Sequence, residues 1–255
     1  MTLNIARCGD GPDLALLHGW SMNAGVWDDL APALARHFRV HCVDLPGHGA
    51  STACAPYTLD AITDVLARKL PRPVIVCGWS LGGQVALNWA WRKPGQVKRL
   101  ALIATTPRFV RGAGWQCGID AAVLDGFARG LAGDYRATLQ RFLALQARGD
   151  ADTRMVLRRL RVRILAHSEP DLTALAAGLR ILQETDLRDR LPLILQPALI
   201  LHGGRDTIVP PAAGRYLQRA LPDAVLEVFA GAAHAPFVTH AARVAQRIVE
   251  FCGEQ

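Results

Sequence analysis

The sequence predicts an α/β fold, a mostly parallel sheet with helices on both faces and a helical insertion, and three observations carry that expectation. Short β-branched and aliphatic runs recur along the 255 residues, with helical patterns between them. The runs are short and aliphatic, as strands of a parallel sheet covered on both faces are. The alternation then stops for one long stretch that keeps helical periodicity and holds no convincing strand.

Taken in order, the first runs are Leu14 to Leu17 and Val40 to Val43. The first leads into His18-Gly19-Trp20, and the second into Asp44-Leu45-Pro46-Gly47-His48-Gly49, which reads as a structural turn without chemistry. Val74 to Cys77 follows and ends in Gly78-Trp79-Ser80-Leu81-Gly82-Gly83, after which Gln84 to Trp89 has a helical pattern. Leu100 to Ile103 is the next strand. Between about Phe109 and Arg190 the periodicity is helical, as in Leu139, Phe142, Leu143 and Gln146, or Leu157 and Leu160. Strands resume at Ala198 to Leu201 and Val225 to Phe229. The expected organisation is a core of residues 1–108 and 191–255 with a helical lid, 109–190, inserted in it.

Hydrophobic residues make up 51% and charged residues 20% of the chain, a globular composition. No apolar run approaches the ~18 residues of a membrane span. The start, Met1 to Arg7, lacks the basic and apolar pattern of an export signal, so a cytoplasmic location without membrane contact is expected; a monomer is expected as well. Six scattered cysteines include no Cys-x-x-Cys pair and no zinc-like spacing, so they read as reduced thiols and no metal site is expected. Cys77 stands just before the turn and is read as structural. The formal charge of +7 is concentrated: eight arginines and two aspartates lie between Arg136 and Arg163. Arg154, Arg158 and Arg161 share one helix face at i, i+4, i+7. That face reads equally as a solvated surface or as a site for an acidic partner; no nucleic-acid motif accompanies it.

Gly78-x-Ser80-x-Gly82 between a strand and a helix is a nucleophile elbow, in which small flanking residues let strand and helix crowd an exposed Ser. A Ser nucleophile needs a base, and the base needs an acid that fixes its tautomer. Asp206 and His234 each follow a late strand, and sheet topology carries both to the edge where the elbow lies. Taken singly, Asp206 reads as a helix cap near Pro210 and His234 as a packed loop histidine. Together, in the order Ser80, Asp206, His234, they read as a triad. The backbone N–H groups of Trp20 and Leu81 are the candidate oxyanion donors, and the Trp20 indole a candidate pocket wall. His18 and His202 read as supports of their turns.

On these motifs the chain resembles the α/β-hydrolases, and within them the BioH family, the carboxylesterases of biotin synthesis. The more specific matches are Trp79 inside the elbow, Arg141-Phe142-Leu143-Ala144-Leu145-Gln146 and Ala232-Ala233-His234-Ala235-Pro236-Phe237. The resemblance implies a cofactor-independent serine esterase that cleaves the methyl ester of pimeloyl-(acyl-carrier protein). Its implied substrate contacts are Trp20, Ser80, Leu81, Phe142, Leu143, Ala144, Leu145, Gln146 and His234. Its implied carrier contacts are Arg141, Arg154 and Arg158; a further family arginine falls at Ala137, with Arg136 one place earlier. A general short-chain esterase, an enol-lactonase or carbon-carbon hydrolase, and a non-catalytic ligand-binding protein of the same fold remain as alternatives.

Overall fold

A computed structural model describes residues 1–165 and 171–253. Its single sheet has seven strands: β1 (Ile5–Cys8), β2 (Asp13–Leu17), β3 (Arg39–Val43), β4 (Val74–Trp79), β5 (Val97–Ile103), β6 (Ala198–Gly203) and β7 (Ala224–Phe229). They lie in the order β1-β3-β2-β4-β5-β6-β7, and every neighbour pair is parallel except β1 with β3. The sequence missed β1, which is a four-residue edge strand with three exposed residues and so carries no buried pattern.

Period-two alternation divides the buried residues between the two faces. Ala15, Leu17, Val74 and Val76 join one cluster, while Leu14, Leu16, Ile75 and Cys77 join the other. The core helices are α1 (Ala31–Leu34), α2 (Leu59–Lys69), α3 (Leu81–Arg92), α8 (Pro211–Ala220), α9 (Pro236–Thr239) and α10 (Ala241–Gly253); the four helices between α3 and α8 form the insertion. Ile62 and Leu66 of α2, Val85 and Trp89 of α3 and Leu217 of α8 cover the first face. Leu34 of α1 and Val244 and Ile248 of α10 cover the second. α2 shows why such segments fold as helices: the Thr58 side chain caps Ala61 N–H, Asp60 sits in the first turn, and Arg68 and Lys69 in the last. Each charge there faces the favourable end of the helix dipole.

The insertion consists of α4 (Ala121–Gly133), α5 (Tyr135–Ala147), α6 (Thr153–Leu165) and α7 (Leu172–Glu184). Asp120, Asp134 and Asp171 cap α4, α5 and α7 through their carboxylates. The chain leaves the core and returns at one place, where Arg108 and Asp186 form a β-bridge and a 3.0 Å ion pair. α5 spans both clusters, Leu139 and Phe142 packing on one side and Leu143 and Ala147 on the other. α6 is tied to the core just before α1, with Arg159 paired to Asp29, and Arg163 to both Asp28 and Asp29. Among the described residues no helix is long and apolar enough to cross a membrane.

Candidate active site

The strand order turns at β2, whose neighbours β3 and β4 lead the chain in opposite directions, and a crevice opens above strand ends at such a point. The loop carrying Trp20 leaves β2 there, and the elbow leaves β4 beside it, with Leu17 in register with Gly78. Ser80 has φ 56° and ψ −115°, a conformation that costs an L-residue energy and holds only where the surroundings enforce it. Glycines provide that enforcement. A Cβ on Gly78 would stand 2.3 Å from the Gly82 carbonyl oxygen, and one on Gly82 would stand 2.2 Å from that of Leu17. Strand, helix and the neighbouring strand end therefore approach one another at backbone distance.

Asp206 and His234 leave β6 and β7 at the same edge. His234 Nδ1 lies 2.8 Å from Asp206 Oδ2, and because a carboxylate accepts, Nδ1 carries the proton, the tautomer that in a neutral ring leaves the Nε2 lone pair free. Asp206 Oδ1 accepts from Ile208 N–H and Val209 N–H, both at 2.9 Å. The capping and the histidine-holding readings of Asp206 thus hold together, one on each oxygen. Both residues are buried. The Trp79 indole donates to the His234 carbonyl at 2.8 Å, and the two rings lie 5.7 Å apart, which brings the imidazole to the elbow. Sequence reasoning noted Trp79 only as a family mark. Nothing in the turn geometry requires an indole there, and that surplus was the available signal.

Leu81 begins α3, so its N–H is among those that a helix leaves without an intrahelical partner. Trp20 lies inside the turn closed by Met22 N–H on the Gly19 carbonyl, which leaves the Trp20 amide outside that bond. Its indole donates to the Leu175 carbonyl at 2.9 Å and meets Phe142 edge-on at 4.7 Å, tying it to the insertion. Phe142, Leu143 and Gln146 are buried; the Gln146 side-chain amide has no hydrogen-bond partner among the described residues, while the Gln146 backbone carbonyl accepts from His234 N–H. Ala144 and Leu145 instead line an outer groove with Arg141, Arg148, Gly149 and Thr153. Arg154, Arg158 and Arg161 are exposed on α6, while Arg136 donates to the Tyr135 hydroxyl at 3.0 Å.

Buried histidines brace the turns. His18 donates from Nδ1 to the Gly19 carbonyl and accepts Leu45 N–H on Nε2; burial, with His48 nearby, pushes it down to about 3. His48 and His202 are lowered too, in each case chiefly by burial, so all three are neutral near pH 7. Burial alone would raise Asp44, but Ala24 N–H, Ala50 N–H and the Asn4 amide outweigh it and hold the carboxyl below its ordinary value. The turn read as structural is therefore a buried polar brace. Cys77 is fully buried in β4, and burial pushes its thiol up, which keeps it protonated.

Residues 14–241 match the model of the α/β-hydrolase fold family. The pimeloyl-(acyl-carrier protein) methyl ester esterase of Nitrosomonas europaea is 48% identical over 238 residues, covering 93% of this chain and 94% of that protein. The enzyme of the same name from Chromobacterium violaceum is 46% identical, covering 94% of each. An esterase from Exiguobacterium antarcticum superposes with a TM-score of 0.88 over 99% of this chain and 96% of its own, at 23% identity, a likeness of fold. The chain is an α/β-hydrolase. Within that fold it belongs to the family of the pimeloyl-(acyl-carrier protein) methyl ester esterases.

Proposed function

We propose that this protein is a serine carboxylesterase that hydrolyses the methyl ester of pimeloyl-(acyl-carrier protein), with Ser80, His234 and Asp206 as its triad. The observation that carries the chemistry is the His234–Asp206 hydrogen bond beside a serine on a positive-φ elbow. The two esterases nearly half identical to this chain over its length support the substrate.

In this mechanism His234 Nε2 takes the Ser80 hydroxyl proton as Oγ bonds to the ester carbonyl carbon. The carbonyl oxygen becomes an oxyanion and accepts from the Leu81 and Trp20 N–H groups. The carbon–methoxy bond then breaks, and the imidazolium gives its proton to the departing oxygen as methanol leaves. Water next loses a proton to His234 and attacks the acyl carbon; the carbon–Oγ bond breaks, the imidazolium returns its proton to Oγ, and the carboxylic acid leaves with Ser80 restored. Trp20, Phe142 and the neighbouring lid residues supply an apolar wall for the acyl chain, at about 0.8 kcal/mol for each methylene buried. Arg141, Arg154 and Arg158 receive the acidic carrier.

Replacing those three arginines with Glu tests the carrier assignment. The KM for the carrier-bound ester should rise at least tenfold, since attraction becomes repulsion. Hydrolysis of a short p-nitrophenyl ester should be unchanged. Equal losses on both substrates would point to a misfolded lid, and no loss on either to a merely solvated face.

A further inference from the structure

The α5–α6 corner reaches the histidine loop through hydrogen bonds that the triad itself does not need. Asp150 is 7% exposed and bears no role in the reaction described above. Its Oδ2 accepts from Ala233 N–H at 2.9 Å, immediately before the proposed base, while Oδ1 accepts from Asp152 N–H at 3.0 Å. Ala151 N–H donates to the Gly231 carbonyl at 2.9 Å, and His234 N–H to the Gln146 carbonyl at 3.3 Å. Between these, Gly149 adopts φ +91°, and a Cβ there would stand 2.9 Å from the Arg205 carbonyl oxygen. One corner of the insertion therefore grips the loops that carry both Asp206 and His234.

We infer that Asp150 is a positioning residue for His234, which sets the imidazole in place from the lid side while Trp79 holds the His234 carbonyl from the elbow side. A buried carboxylate is a costly way to secure a loop, because it must be fully hydrogen-bonded to be tolerated. What it gains is directional: a charged acceptor bonds N–H groups about twice as strongly as a neutral one. The grip also makes the placement of the base depend on how the lid is seated. Arg148 lies two residues before Asp150 and Arg154 four residues after it, so a partner drawn to either arginine acts on the same corner.

The inference rests on the triad reading, and the tests of the two are separable. In the full-length protein, Asp150→Ala is expected to lower kcat about 10- to 100-fold on p-nitrophenyl acetate, the scale of a small misplacement of a reacting group, with KM within about twofold. A structural stitch alone would lower the melting temperature and leave kcat per folded molecule unchanged, and that result would overturn the inference. Asp150→Asn keeps the size and one acceptor oxygen; it should show the same split between kcat and KM at smaller amplitude, and it carries the test should the Ala variant not fold. A folded Asp150→Ala variant within twofold of wild-type kcat would refute the role, and where that variant does not fold, an Asp150→Asn variant at wild-type kcat would refute it. Activity persisting in Ser80→Ala and His234→Ala would instead refute the triad, whatever Asp150 does.

Discussion

Where the elbow rests on β2, backbone meets backbone, with carbonyl oxygens little more than 2 Å from where a Cβ on Gly78 or Gly82 would stand. Across the helical insertion the contacts are of another kind: the Trp20 indole on the Leu175 carbonyl, aromatic edges on Phe142, and arginines of α6 on Asp28 and Asp29. Sterics of that severity fix residue types at fixed spacing. Side-chain contacts between helices permit many solutions. The elbow is therefore strongly specified in residue type, and the insertion, its Asp150 corner apart, is joined by interactions that are individually modest.

The comparison breaks most visibly in catalysis. Ser80→Ala or His234→Ala should each lower kcat on the order of 10⁵-fold, the double variant little further, because both serve one step. Steady-state assays on a short ester check this, with circular dichroism showing the fold intact. Next in size, Gly82→Ala should destabilise the protein by about 3 kcal/mol, since the new methyl meets the Leu17 carbonyl rather than a side chain that can move. Urea melts measure it, and a loss below about 1 kcal/mol would show that the elbow yields.

An effect smaller per group and per pH unit follows from the neutral, buried histidines. Unfolded, His18 regains its ordinary value of 6.5, whereas folding holds it at about 3. Between those values the unfolded chain binds a proton that the folded chain refuses. Stability is thus fully present above pH 6.5 and drains as pH falls toward 3, by up to about 1.4 kcal/mol per pH unit for each such group. His48 and His202 act in the same direction. Urea midpoints at pH 7, 6 and 5 should fall in sequence. Smallest of all, Asp28→Ala or Asp29→Ala should cost about 0.5 kcal/mol each, because those carboxylates are 53% and 40% exposed and solvent screens the pairs.

The same contrast explains what the sequence made legible. The Gly-x-Ser-x-Gly spacing, the strand ends before Asp206 and His234, and the six strands after β1 all follow from local constraints that leave marks in residue order. β1 left none, because an exposed edge strand needs no apolar alternation. In the insertion, the Leu139 and Phe142 periodicity announced helices, but nothing in it separated Arg159 and Arg163, which pair with the core, from the exposed Arg154 and Arg158. Ala144 and Leu145 sit beside Phe142 in sequence yet line an outer groove, since successive helical residues point about 100° apart. The two roles of Asp206 were weighed as alternatives because a carboxylate's two oxygens are indistinguishable in a sequence.

The bridge between Arg108 and Asp186 has a consequence for how such a protein diverges. Because departure and return share one spot, whatever chain lies between them leaves the ladder of β5 and β6 untouched, and doubling a loop's length costs only about 0.6 kcal/mol of closure entropy. Helices can be lengthened, shortened or exchanged there without breaking the sheet, so long as the corner that meets the His234 loop is kept. A single doorway thus confines variation to the cover, and that one corner is the toll each variant must still meet.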